Sequence, residues 1–250
     1  MGIDYTKRPK QPEPPAGGTP PPPPPPPPPG MAPPPPAGMP LPDGGTTKVV
    51  LTKAAPTISL TKHAGSTGQM RVNLNWTART DAGGGGGFFK RQAPSIDLDL
   101  GCLYEFSDGS KGVVQALGNA FVASPRGVNE PVIRLDGDDR SGSNSGGENL
   151  FINLAYTAQI RRIMVFAFIY EGVPNWAAAN GVVTLFPANG PQVEVRLDDP
   201  RDGTRMCGIA LLENQGGDLT VRREVNYLNG GQRALDEAYG WGMRWTAGRK

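Results

Sequence analysis

The sequence predicts an all-β protein: an antiparallel β sandwich that starts near Thr46, preceded by a disordered proline-rich tail. Three observations carry that expectation. Short apolar runs follow one another at close spacing, several in strict apolar–polar alternation, which is the strand period. Asp-Gly, Asn-Gly and Gly-Gly pairs stand between them, the residues that tight hairpin turns demand. Helical periodicity is almost absent, and the roughly 200 residues after the tail suffice for one sizeable core.

Residues 1–45 hold about twenty of the chain's 28 prolines, including an unbroken run from Pro20 to Pro29. Lacking N–H donors, such a run joins neither helix nor sheet and adopts polyproline II, a rod of about 30 Å at about 3.1 Å per residue. It reads first as a solvated spacer and second as a docking ligand for an aromatic groove. The globular part is residues 46–250. Val49-Val50-Leu51 and Ile58-Ser59-Leu60 are short strands around Ala55-Pro56. From Gln69 to Arg79, Met70, Val72, Leu74 and Trp76 alternate with polar residues, as on a half-buried strand. Five glycines, Gly83 to Gly87, then open a loop carrying Phe88 and Phe89, a candidate interaction patch. No Lys-Ser/Thr follows those glycines, which excludes a phosphate loop of the P-loop kind.

Ile96 to Phe106 and Gly112 to Leu117 form a hairpin through Asp108-Gly109. Pro131 to Leu135 and Leu150 to Leu154 flank a loop rich in Asp, Ser and Gly. Arg162 to Tyr170 is apolar almost without a break and reads as a central strand covered on both faces. Pro174 to Asn180 offers one or two helical turns. Val182–Phe186, Val193–Leu197, Met206–Glu213 and Leu219–Leu228, with three turn signals between them, describe an antiparallel meander. Gln232 to Ala238 is a short helix, and Gly240 to Trp245 a last strand with two large aromatics to bury.

Composition excludes several functions. The tail balances its charges, so the net +2 belongs to the remainder. That leaves no electrostatic case for nucleic acid. The longest apolar run, Ile163 to Tyr170, is far too short to cross a bilayer. No secretory signal opens the chain, and Cys102 and Cys207, each in an apolar strand-like run, read as buried free thiols of a reducing compartment. The match of Met1-Gly2 to a myristoylation pattern is read as chance. With His63 as the one histidine, neither a zinc site nor a Ser-His-Asp centre has its parts.

The candidate site is the loop from Leu135 to Phe151. Asp136, Asp138, Asp139 and Glu148 supply carboxylates, and Asn149 and several serines neutral oxygens, the donors that Ca²⁺ takes in sets of six to eight. The spacing is not that of an EF-hand: Arg140, Ser141 and Gly147 stand where Asp/Asn, Gly and Glu are required. Strand alternation places Asp97 and Asp99 on one face, about 6–7 Å apart. Two like charges there call for a cation or open water, and one ion could bridge this strand and the loop. A hydrolase using paired carboxylates such as Asp97 and Asp138 lacks the burial that would raise one pKa.

Several motifs resemble a known family. Val50-Leu51-Thr52-Lys53, Ile58 to Lys62 and Val72 to Trp76 resemble the opening of the bacterial tellurium-resistance, TerD-like domain. Ile96 to Leu100 resembles its Asp-Leu-Asp strand, and Gly137 to Gly142 its Gly-Asp-Asn-x-Thr-Gly loop. Phe166 to Trp176 and Tyr239 to Met243 resemble its TerA-like branch. The resemblance implies a calcium-binding β sandwich in the cytoplasm, without catalysis, serving tellurite resistance and stress response. Its partners would be other proteins of that system, including membrane-bound ones. By the same resemblance the metal ligands are Asp97, Asp99, Asp138, Asp139, Glu148 and Asn149. Ser143, Ser145 and Gly147 replace further acids of the family, so the expectation is one weakly held calcium ion or none. The alternative is an assembly protein with a vestigial metal loop, docking through its polyproline tail.

Overall fold

Alternation becomes strand throughout the globular part. The computed structural model describes residues 48–60, 68–76, 96–137 and 146–245. The proline tail, His63, the glycine run with Phe88 and Phe89, and loop residues Asp138 and Asp139 lie outside the described residues. The chain divides into residues 1–43 and 44–250, and every described residue belongs to the second unit.

The strands are β1 (Lys48–Val50), β2 (Thr57–Ser59), β3 (Gln69–Asn75), β4 (Asp97–Phe106), β5 (Lys111–Val114), β6 (Val122–Ala123) and β7 (Ile133–Leu135). They continue as β8 (Glu148–Asn153), β9 (Ile160–Glu171), β10 (Gly181–Phe186), β11 (Gln192–Leu197), β12 (Met206–Gln215) and β13 (Asp218–Leu228). Among the described residues one sheet runs β1-β11-β10-β3-β8-β7-β6 and the other β2-β13-β12-β9-β4-β5. Pairing is antiparallel except where β1 runs parallel to β11. Inward residues such as Met70, Val72, Leu74, Leu98, Leu100, Val165 and Val183 build one buried cluster between the sheets.

A second apolar layer lies on the other face of the six-stranded sheet. Leu103, Met164, Phe166, Met206 and Leu211 pack there against Leu235 and Trp241. Strand β9 feeds both layers, Val165 and Ala167 inward, Met164 and Phe166 outward. Its unbroken apolar run follows from that double burial.

Two sequence expectations need correction. The four strands after Asn180 are not one meander. β10 and β11 pair in the seven-stranded sheet and β12 and β13 in the other, so the turn at Arg201-Asp202-Gly203 carries the chain from sheet to sheet. The far edge of β11 is taken by β1 and that of β12 by β9, which leaves no edge for them to share. The segment Gly240 to Trp245 is not a strand. It folds back on α2 (Gln232–Tyr239), whose Asp236 carboxylate accepts the amides of Gly242 at 2.6 Å and Met243 at 2.9 Å and the Trp245 indole N–H at 2.6 Å. The other short helix, α1 (Trp176–Ala179), is capped by Asn175, whose side chain accepts from the Ala178 amide at 2.9 Å.

Candidate functional site: where the acidic loop meets the Asp-Leu-Asp strand

Three strand ends gather at the acidic loop. Leu74 of β3 pairs with Glu148 at the start of β8, and Trp76, just past β3, donates its indole N–H to the Ile96 carbonyl at 3.0 Å. β5 pairs with β4 only from Cys102 onward, which leaves the Leu100 amide beyond the end of β5. Glu148 takes that amide: its Oε2 accepts from Leu100 N at 2.7 Å. The Glu148 residue is only 2% exposed, so a carboxylate of one sheet is buried against a strand of the other, beside Asp99.

The two strand aspartates are not equivalent, as simple alternation would make them. Asp97 is 4% exposed, Asp99 half-buried. The register with β9 slips between Asp97, which faces Glu171, and Leu98, which faces Ile169. Such a bulge re-aims the side chain next to it. Asp97 is buried there, while Glu171, its partner in the register, is exposed.

The neck of the loop is tied by an amide and a carboxylate. The Asn149 backbone N–H donates to Asp136 Oδ1 at 2.9 Å and its Nδ2 to Asp136 Oδ2 at 2.8 Å, while the Asp136 amide donates to the Asn149 carbonyl at 3.0 Å. Asn149 Oδ1 accepts from Asn73 Nδ2 at 2.9 Å and Arg71 Nη1 at 3.0 Å. Asn73 Nδ2 also reaches the Gly146 carbonyl at 2.6 Å. Gly147 sits at φ +62°, and a Cβ there would run into the Leu74 carbonyl oxygen. Only glycine fits at that approach, which excludes an acidic ligand from this position.

The structure therefore brings Glu148 to the Leu100 amide of β4 and gives Asn149 the work of a strut. Arg71 and Asn73 belong to the neck and were not singled out from sequence; their one signal is a polar pair on the open face of an alternating strand. Asp138, Asp139, Phe88 and Phe89 lie outside the described residues. Among the described residues no group of three or more His, Cys, Asp or Glu side chains could hold a metal ion. The described oxygens suit a hard cation in kind, and a full shell requires the undescribed half of the loop.

Other residues of the recognised motifs are structural. Trp176 donates its indole N–H to the Thr204 carbonyl at 2.7 Å. Arg162 of β9 binds Glu105 at 2.7 Å, donates to the carbonyls of Tyr239 and Gly240 at 3.0 and 3.2 Å, and stacks 3.8 Å from the Trp241 ring centroid. Cys102 and Cys207 are free and buried, and burial pushes both thiols up, away from the thiolate a nucleophile needs. No helix among the described residues is long and apolar enough to cross a membrane.

No family model matches the chain. Two solved structures are similar over 66% of this chain and 92% of theirs, each with a TM-score of 0.46. One, at 15% identity, is the protein of unknown function SAV2460. The other, at 19%, is a homologue of telluride resistance protein (TerD), SCO6318 from Streptomyces coelicolor A3(2). The chain is 45% identical over 206 residues to the tellurium resistance protein TerA of an Alcaligenes species. That match takes in 82% of this chain and 59% of the relative's length. Over those residues the chain belongs to the tellurium-resistance, TerD-like family.

Proposed function

We propose that this protein is a non-catalytic, calcium-responsive binding module of a bacterial tellurite-resistance and stress-response system, working in the cytoplasm through contacts with other proteins of that system, including membrane-bound ones. The name of the TerA relative supports the system. The single observation that supports the metal is Glu148, a carboxylate buried between the sheets and bonded to the amide next to Asp99. By the family resemblance the ion would take ligands from Asp138 and Asp139 together with Glu148, Asp97 and Asp99; the described carboxylates do not form a group of three by themselves. Asn149 would act one step back, fixing the neck from which the loop springs.

The test is a calorimetric and thermal titration of the chelator-stripped full chain with Ca²⁺. A ligand of the native state stabilises by RT ln(1 + [L]/Kd), about 2.7 kcal/mol at a hundredfold excess over Kd. The expected result is saturable heat and a rising melting temperature, both lost in Asp139→Asn. Absence of heat and of any melting shift at millimolar Ca²⁺ removes the metal and leaves the alternative, an assembly protein whose polyproline tail docks. Pull-downs with residues 1–45 deleted then decide whether that tail selects partners.

A further inference from the structure

A groove of about 580 Å³ lies between β5, the loop that follows it, and segment 242–245. Its rim carries Lys111 and Arg244, and no acidic residue lines it. No salt bridge among the described residues involves either cation. Lys111 is held in place because its Nζ donates to the Trp241 carbonyl at 2.5 Å. An ammonium has three donors, so two remain for a ligand. Gln232 adds an amide at the same rim, fixed by a 2.7 Å bond from its Nε2 to Gln115 Oε1. Leu117, Met243 and Trp245 supply apolar lining to the same groove.

Two cations that make no salt bridge among the described residues, on a concave groove that no acid lines, focus positive potential into it; Asp236 and Glu237 lie on the adjoining cavity that Arg244 also borders. Its volume is in the range that encloses a small organic molecule. Met and Trp surfaces favour a flat, polarisable body. We infer that this groove binds a small organic anion, a carboxylate, sulfonate or phosphate carried on a flat apolar body, with the charge between Lys111 and Arg244 and the body against Met243 and Trp245.

The probe is 1-anilinonaphthalene-8-sulfonate, titrated into the full chain and read by energy transfer from tryptophan. One saturable site is expected, and losing one charge-assisted contact in Arg244→Gln or Lys111→Gln weakens it about tenfold. N-phenyl-1-naphthylamine, the same body without the charge, binds more weakly and equally to parent and variants. Phenyl phosphate displaces the probe at concentrations where inorganic phosphate does not. Arg244 makes no bond that the fold uses, so its variant keeps the parent's melting temperature; if Lys111→Gln melts early, Arg244→Gln decides alone. Equal binding of charged and neutral dye, or parent-like affinity in Arg244→Gln, overturns the inference. Adding Ca²⁺ or chelator leaves the titration unchanged, which keeps this result separate from the fate of the acidic loop.

Discussion

Asp236 and Glu148 are both buried carboxylates that accept a backbone amide, yet their surroundings differ. Asp236 is met by three donors from residues six to nine positions ahead, and beside it Arg162 binds both Glu105 and the end of α2. Every acid of that region faces N–H groups or a guanidinium, so its charge is spent on holding segment 240–245 over the outer apolar layer. Glu148 instead reaches across the sandwich to a strand that carries Asp97 and Asp99, and Asp97 faces Glu171. The contrast separates a carboxylate that closes a chain segment onto a helix from one that ties the two sheets together at the neck of the acidic loop.

The contrast breaks most visibly at Asp236. Asp236→Ala strands three donors, each costing about 1 kcal/mol or more, for a total of about 3 kcal/mol. For a domain of this size that lowers the melting temperature by roughly 6–12 °C. Trp245 loses its indole partner in the same variant, and its fluorescence moves with the transition. A drop under about 1 kcal/mol would mean that the outer apolar layer holds the segment without the carboxylate.

Glu148→Gln sharpens the other side. Glutamine keeps an oxygen for the Leu100 amide and removes the charge. In chelator the variant is expected within about 1 kcal/mol of the parent, because relief of like-charge crowding offsets a weaker hydrogen bond. In Ca²⁺ the parent gains stability and the variant does not. Equal calcium responses, with the variant less stable under both conditions, would make Glu148 a second Asp236.

The smallest effect is at the β4–β5 hairpin, where an exposed acid is held by Ser110 in the turn and by the Arg126 amide. The Ser110 hydroxyl, and then the amides of Arg126 and Ser110, lower the Asp108 carboxyl to about 2. A depressed carboxyl contributes stability above its ordinary pKa of about 4 and loses it as pH falls through its folded value. The melting temperatures of parent and Asp108→Asn should therefore converge as pH drops from 4 to 2. A constant separation across that window would show that the charge of Asp108 plays no part.

Elements whose signal is local were legible in the sequence. The alternation of Met70, Val72, Leu74 and Trp76 is β3, Asp108-Gly109 is a hairpin turn, and the apolar run after Arg162 is a strand buried on both faces. The two-residue strand β6 and the 3-10 turn Leu154–Gln159 were not legible, since neither is long enough to show a period. At the candidate site the loop's carboxylates and the alternation of the Asp-Leu-Asp strand were legible, but the bond from the Leu100 amide to Glu148 was not, since it depends on where β5 stops covering β4. Asn149 was read as a ligand because its composition suits one; that it ties the neck depends on Asp136, Asn73 and Arg71, partners on a neighbouring strand and across the loop.

By itself the sequence determined the longer strands, the sandwich class and the family, because periodicity, turn chemistry and motif order are written residue by residue. The tertiary structure alone decided which sheet each strand joined, that a bulge buries Asp97, that Asp236 folds segment 240–245 back rather than letting it pair, and that Lys111 and Arg244 share a groove. Each of these depends on which edges are already taken and on which distant donors meet an acid, and those are properties of the packed chain.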